Sequence, residues 1–266
     1  MGNQFTVSGG GELDNGLNIS VSYQLDNGTP ASGPFDDHSI TISSDEIGTI
    51  KFSGHGGSSA TSAMDATAAG DLWGTFDEMS ATLGVAGLDM AAAGGTNNNI
   101  YYTAPSLMDG LTINASYNPQ AGNGVESETG YGVTYTGMEG ITVGYGQGDV
   151  EQTTGTQSDE STLFATYAIG GATVGIQKSE RDNENASDVE STGIGISYQV
   201  NDDLTVSYGS NTREKIGSDD QEAVAIGASY TVGSLGIAVS MHQVDNVNNT
   251  DADDREGYQM VLTFAF

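Results

Sequence analysis

The sequence contains no cysteine, four prolines and six lysines and arginines together, and it has no long apolar run. The absence of cysteine excludes a disulfide framework, and no stretch approaches the ~18 apolar residues of a membrane-spanning helix. The 36 acids give a net charge of −30, which argues against a nucleic-acid partner because phosphates are bound by Lys and Arg. The opening MGNQFTVSGG has neither the basic start nor the apolar core of a signal peptide.

What the chain does have is regular alternation of apolar and polar residues. In LNISVSYQL (17–25) every second residue is apolar, and the residues between them are Asn, Ser and Gln. The same pattern recurs in LTINASY, ITVGYGQ, TLFATYAI, GIGISYQV, LTVSYGS, AIGASYTV and LGIAVSM. No comparable stretch keeps a helical period, so we predict an all-β protein with about fifteen strands.

The connections between these strands alternate between short and long. Short turns such as Asp14-Asn15-Gly16 and Gly170-Gly171 alternate with long loops along the chain. The long loops span roughly 27–37, 56–98, 119–128, 150–159, 182–188, 214–221 and 245–254. This order predicts an antiparallel up-and-down meander, with all short turns at one rim and all long loops at the other.

The polar face of each strand distinguishes two all-β architectures. A soluble barrel or sandwich buries its apolar face inside, whereas a transmembrane barrel turns apolar residues to lipid and polar residues to a wet lumen. The second face here consists of Ser, Thr, Asn, Gln and Gly, which is too polar for a dry core. We therefore predict a closed transmembrane β-barrel. A soluble all-β binding or adhesion protein is the alternative.

Three blocks of sequence carry a family resemblance: FTVSGGGELDNGLNISVSYQLDN, SITISSDEIGTIKFSG and the terminal MVLTFAF. With the loop alternation, they make the chain resemble the Gram-negative general porins of the alphaproteobacterial type. The resemblance implies one porin barrel over residues 1–266, with about sixteen strands in the intact protein. By this comparison, the signal peptide and first strand would precede Met1. A fourteen-stranded barrel, with one strand split in two, is the rival interpretation.

The resemblance also implies a location and a function. A porin of this kind is a homotrimer in the bacterial outer membrane, in contact with lipids and lipopolysaccharide. It provides a water-filled channel for passive diffusion of small hydrophilic solutes and ions, and it is not an enzyme. A solute-specific outer-membrane channel is a further alternative.

The end of the chain resembles the signal by which the barrel-assembly machinery recognises outer-membrane proteins. Alternate residues of the last strand are apolar up to a terminal aromatic: Tyr258, Met260, Leu262, Phe264 and Phe266.

The segment 56–98 is the one place where alternation stops over a long stretch, and long irregular loops are uncommon unless functional. By resemblance it is the inward loop that narrows the pore, with candidate residues Asp65, Asp71, Trp73, Asp77, Glu78 and Asp89. The candidate basic and histidine residues of the facing wall are Lys51, His55, Arg181, Arg213 and Arg255. The excess of acids predicts a cation-favouring channel. The alternative is an exposed loop whose acids are solvated.

Cofactor motifs are scarce. The three histidines have no ligand spacing that would predict a zinc site, and no nucleophile motif or dinucleotide fingerprint is present. Asp251, Asp253 and Asp254 form a candidate Ca²⁺ site, against the alternative of solvated loop acids. Beyond this calcium candidate we expect no cofactor.

Overall fold

The computed structural model describes residues 4–25, 35–61, 97–119, 125–152 and 157–264. Within them, almost every residue belongs to an antiparallel strand or to a connection between two strands. The strands are β1 (Phe5–Glu12), β2 (Asn18–Leu25), β3 (Phe35–Ser44), β4 (Gly48–His55), β5 (Asn99–Thr103), β6 (Leu111–Asn118), β7 (Val125–Met138), β8 (Ile141–Gln152), β9 (Ser158–Ile169), β10 (Ala172–Asn183), β11 (Val189–Gln199), β12 (Leu204–Lys215), β13 (Gln221–Val232), β14 (Leu235–Asp245) and β15 (Arg255–Phe264).

The strands follow chain order through the sheet, from β1 to β15, and each is hydrogen-bonded to its neighbours in sequence. Among the described residues, no helix has the length and apolar character needed to cross a membrane. The prediction of about fifteen strands in an antiparallel up-and-down meander is confirmed for the described part of the chain.

The chain divides into two compact units. The first contains β1 to β7 up to Gly137, together with Tyr145–Ser161; the second contains Met138–Gly144 and the chain from Thr162 onward. In the first unit, tight turns join the strand pairs at the short-turn rim. Gly16, at the β1–β2 turn, has a φ of 81° and donates its N–H to the Leu13 carbonyl at 2.9 Å. Glycine adopts this left-handed conformation without the steric cost that a side chain would meet.

On β6 and β7 of the first unit, polar side chains are buried on one face and apolar side chains are exposed on the other. On β6, Asn114, Ser116 and Asn118 are buried, whereas Ile113 and Tyr117 are exposed. On every strand, we call the face that carries the polar residues of the alternation its polar face and the other its apolar face. This arrangement is the reverse of that in a water-soluble sheet and matches the lipid-facing pattern predicted from the sequence.

The second unit shows the same inversion along strands of 10 to 12 residues. On β10, the buried Gln177 and Ser179 lie on the face opposite the exposed Val174 and Ile176. The register from β10 to β15 continues without a bulge, so these alternating faces run from strand to strand. The apolar faces therefore form a continuous apolar surface whose exposure to water is unfavourable.

Candidate functional site

The chain that follows β4 turns onto the polar face of β6. The Ala60 N–H donates a hydrogen bond of 2.9 Å to the Ser116 hydroxyl, 56 residues further along the chain. Ser59, Ala60 and Thr61 are all buried, and the hydroxyls of Ser59 and Thr61 lie 3.1 Å apart. Gly130 of β7 leaves room for this approach, because a Cβ there would lie 2.6 Å from the Ser116 Oγ. The first described residues of the segment 56–98 thus cover part of the polar face.

The return of the same segment is held by asparagines. The Asn118 side-chain amide donates to the Asn97 carbonyl at 2.8 Å, and the Asn98 N–H donates to the Gly54 carbonyl at 3.1 Å. The Gly56 N–H also donates to the Asn97 Oδ1 at 3.3 Å. Both ends of the segment are therefore fixed where β4 and β6 present their polar faces.

Six candidates for the pore constriction fall outside the described residues. They are Asp65, Asp71, Trp73, Asp77, Glu78 and Asp89. Of the segment 56–98, residues 56–61 and 97–98 are described. Their role at a constriction stays a prediction.

The basic candidates of the wall lie on polar faces, as alternation predicts. Lys51 is opposite Thr41 on β3 and opposite Tyr101 on β5. Arg181 and Arg213 share the phase of the buried residues of β10 and β12, and they are close enough to interact electrostatically. Arg255 is paired with the buried Val244.

His55 departs from this alternation. Ser39 is paired with Ser53 and His38 with His55, so Gly54 is an extra residue that forms a bulge in β4. The bulge changes the direction in which the side chains at the end of the strand point. The His55 Nδ1 lies 3.2 Å from the Asp36 Oδ1 and 2.9 Å from the Asp37 Oδ1. The sequence phase that Lys51 follows therefore does not continue to His55.

The polar faces do not share the acidity of the whole chain. Apart from the bulged ends of β3 and β4, the described strands place four acids on these faces: Glu12, Glu126, Glu128 and Glu160. Alternation puts five bases there: Lys51, Arg181, Arg213, Lys215 and Arg255. Many of the remaining acids lie on the opposite phase near the long-loop rim, as Glu180, Glu190, Glu214, Glu222, Asp245 and Glu256 do. The net charge of −30 is thus not the charge of the described polar faces.

The loop between β14 and β15 is bound to the second unit by Asn249. Its side-chain amide donates to the carbonyls of Arg213 at 2.9 Å and Asp219 at 2.8 Å, and the Arg213 guanidinium donates to the Asn249 Oδ1. Val247 is fully buried. Asn248 and Asn249 have a φ of 58°, a left-handed conformation that asparagine tolerates better than most residues. The loop is therefore a fixed structure at the end of β12.

Two of the three aspartates of the predicted calcium site, Asp253 and Asp254, have separate partners. Asp253 makes a two-pronged ion pair with Arg255, at 3.0 Å and 2.6 Å. Asp254 accepts the Asn246 N–H at 3.1 Å, and Asp251 is exposed. Among the described residues, the group whose ligand atoms lie within 4.8 Å of one another is Asp36, Asp37 and His55.

The last strand presents the predicted apolar series on one face. Tyr258, Met260, Leu262 and Phe264 are exposed, and β15 pairs with β14 from Arg255 to Phe264. Phe266 lies outside the described residues. Recognition of this strand by an assembly machinery stays a prediction.

Sequence reasoning missed the anchors of both loops. Alternation in LTINASYN puts Ser116 and Asn118 on a polar face, but nothing local marks them as partners of residues 60 and 97. Asn249 is one of several polar residues in the acidic loop 245–254, and nothing in the sequence distinguishes it from the others. The buried His242, whose Nε2 lies 2.9 Å from the Ser240 Oγ, was also missed as a polar-face residue, although its phase in β14 could have revealed it.

Comparison with known proteins gives one family and one fold. The family described as Gram-negative porin matches residues 1–266. The anion-selective porin from Comamonas acidovorans is similar, with a TM-score of 0.66 and 15% identity over 99% of this chain and 89% of that chain. A porin structure refined at 1.8 Å resolution has a TM-score of 0.70 and 16% identity over 99% of this chain and 92% of that chain. OmpT of Vibrio cholerae in its trimer form has a TM-score of 0.65 and 15% identity over 100% and 91%. No curated protein sequence matches the chain.

Proposed function

This chain belongs to the Gram-negative porin family, and from that membership we propose that it lets small hydrophilic solutes and ions diffuse passively across the bacterial outer membrane. The protein is an outer-membrane porin with the up-and-down antiparallel fold of that family. We propose a passive pore and no enzymatic activity.

The observation that carries the proposal is the polar face on which residues 59–61 lie. Ser, Thr, Asn, Gln and Gly side chains can exchange hydrogen bonds with water, so such a face suits a wet channel and not a dry core. The Ala60–Ser116 hydrogen bond brings the start of the segment 56–98 onto this face. These contacts support a pore whose cross-section the segment reduces.

The two anchored ends support the proposed constriction. At the start of the segment, Ala60 is bonded to Ser116 of β6, and at its end Asn97 is bonded to Asn118 of β6. Both contacts are on the polar face of the same strand. We propose that the acids of the segment, Asp71, Asp77 and Glu78 above all, face Lys51 across the channel. Opposite charges placed in this way create a transverse field along the path of a permeating ion.

We propose a preference for cations that depends on loop acids and not on the wall. Apart from the bulged ends of β3 and β4, the described polar faces carry five bases and four acids, so they give no surplus of negative charge. The Comamonas acidovorans porin of the same fold is anion-selective, which shows that the fold leaves the sign of the preference open. We propose that the sign comes from the acids in and around the segment 56–98.

We further propose a homotrimer that contacts outer-membrane lipids and lipopolysaccharide. The Vibrio cholerae OmpT structure is a trimer form, and the continuous exposed apolar faces of the strands suit lipid and subunit contacts. Mass measurement in mild detergent should give three copies; a monomer would contradict the trimer and leave the channel intact.

Reconstitution into planar bilayers tests the channel. The protein folded in detergent should insert and give stepwise conductance, and the reversal potential across a KCl gradient should show cation preference. The combined change Asp71→Asn, Asp77→Asn and Glu78→Gln should reduce that preference. The matched control is Glu190→Gln, Glu222→Gln and Asp245→Asn, which removes the same charge from the opposite strand phase.

The outcomes separate the parts of the proposal. Folded protein that stays soluble without detergent and gives no conductance would overturn the pore. Conductance with anion preference, or equal effects of the two triple variants, would overturn the selectivity while leaving the pore.

A further inference from the structure

His55 lies between two carboxylates that approach from the neighbouring strand. Its Nδ1 is 2.9 Å from the Asp37 Oδ1 and 3.2 Å from the Asp36 Oδ1. All three side chains reach solvent, with 48% of the His55 side chain, 30% of Asp36 and 53% of Asp37 exposed. An ion arriving from water can therefore reach the nitrogen and both oxygens.

These distances suit one metal ion held between the three atoms. Zinc binds an imidazole nitrogen or a carboxylate oxygen at roughly 2.0–2.2 Å, so two ligands at right or tetrahedral angles lie about 3.0–3.5 Å apart. The distance from the His55 Nδ1 to the Asp36 Oδ1 lies in that interval, and the distance to the Asp37 Oδ1 lies just below it. A small outward movement of the exposed Asp37 carboxylate would bring the second distance into the interval.

Two glycines make room for the cluster. Gly54 is the bulge residue, and a Cβ there would lie 1.9 Å from the His38 Nε2. Gly56 has a φ of 65°, and a Cβ there would lie 2.1 Å from the Asp37 Oδ1. A side chain at either position would displace the neighbours that bring the carboxylates to His55.

His38 contacts the backbone of Asp36. Its ring is stacked on Tyr23, with centroids 6.5 Å apart and planes 6° from parallel. The His38 Nδ1 lies 3.0 Å from the Asp36 carbonyl oxygen. Because a carbonyl oxygen can only accept, the Nδ1 is the donor in the tautomer that forms this hydrogen bond. The backbone of Asp36 is thus tied to an ordered pair of rings, so the site loses less freedom when an ion binds.

The ligand types indicate which ion the cluster favours. Carboxylates alone suit Ca²⁺ and Mg²⁺, whereas an imidazole nitrogen shifts the preference towards Zn²⁺, Ni²⁺ and Cu²⁺. Two carboxylates also carry two negative charges, which a divalent cation neutralises. We propose that Asp36, Asp37 and His55 form a binding site for a late first-row divalent metal ion such as Zn²⁺, completed by water.

Calorimetric titration of the detergent-folded protein with ZnCl₂ tests the site. The parent should bind one Zn²⁺ that His55→Gln and Asp36→Asn weaken at least tenfold, since even the loss of an outer-shell partner typically costs 10–100-fold in metal affinity. Asp45→Asn is the matched control: it removes the same charge from the exposed turn at the other end of the β3–β4 hairpin. Its affinity should equal that of the parent.

A second measurement needs no variant and so does not depend on the folding of one. Diethyl pyrocarbonate should modify the half-exposed His55, and Zn²⁺ should protect it, as peptide mass spectrometry can show. Unchanged modification of His55 at saturating Zn²⁺ would overturn the proposal. Zinc affinity of His55→Gln within a few-fold of the parent, or an equal loss in Asp45→Asn, would also overturn it, because binding would then belong to the acidic surface in general.

Discussion

The Ala60 N–H and the Ser116 hydroxyl are joined by a hydrogen bond of 2.9 Å across 56 residues of chain, in a place where both are buried. A buried backbone N–H without a partner costs about 1–3 kcal/mol. This bond therefore decides whether the start of the segment 56–98 stays on the polar face of β6.

Ser116→Ala should release this end of the segment. We expect noisier single-channel currents and a loss of about 1–3 kcal/mol in local stability, because the Ala60 N–H loses its acceptor. Bilayer recordings and hydrogen exchange of the peptide that contains residue 60 measure the two effects. Ser20→Ala, on the exposed polar face of β2, is the control. Equal behaviour of the two variants would show that the hydrogen bond has no such role.

Gly144→Ala should destabilise the second unit. A Cβ at this position would lie 2.2 Å from Cε1 of the buried Phe164 ring, and overpacking of this kind costs about 1–3 kcal/mol. Thermal unfolding in detergent should show a lower midpoint for Gly144→Ala. Gly9→Ala, where a Cβ would meet nothing within 4 Å, should leave the midpoint unchanged. Adding Phe164→Leu to Gly144→Ala should restore part of the loss; failure of both expectations would contradict this packing.

Asn249→Ala should loosen the loop between β14 and β15. The substitution removes the two donations to the Arg213 and Asp219 carbonyls and the acceptor of the Arg213 guanidinium. We expect faster hydrogen exchange and faster proteolysis at residues 246–250, with little change elsewhere. Asp251→Asn, at an exposed position of the same loop, should behave like the parent, and an equal effect there would argue against the Asn249 contacts.

Ile226→Lys should oppose insertion into a bilayer. Ile226 is 51% exposed on the apolar face of β13, and a lysine on the lipid face costs about 2–4 kcal/mol at the bilayer midplane. Ser207→Lys, on the polar face of β12 opposite Gly227, should cost much less. Unfolding from lipid vesicles compares the two, and equal losses would contradict the assignment of the faces.

Removal of Phe266 should lower the amount of assembled protein in cells. If an assembly machinery recognises this aromatic, as we predict, spontaneous refolding of the same variant in detergent should stay close to that of the parent. Comparison of heat-modifiable electrophoretic mobility from membranes and from refolding reactions tests this difference. A matched loss in both would point to strand pairing instead.

The sequence by itself determined the strands and their two faces. Alternation with a period of two places Ser116 and Asn118 opposite Ile113 and Tyr117 whatever the neighbours are, since successive side chains of a strand point to opposite sides. The same rule found the polar-face positions of Lys51 and Arg213. Turn residues such as Gly16 marked where strands end, because few other residues adopt its φ.

Only the tertiary structure decided what meets across those faces. The bulge at Gly54 ends the alternation before His55, and a one-residue change of register cannot be read from composition. The meeting of His55 with Asp36 and Asp37, of Ala60 with Ser116, and of Asn249 with Arg213 joins residues 18 to 56 positions apart. Such contacts depend on how whole strands are aligned, so a local pattern names the residues on a face but not their partners.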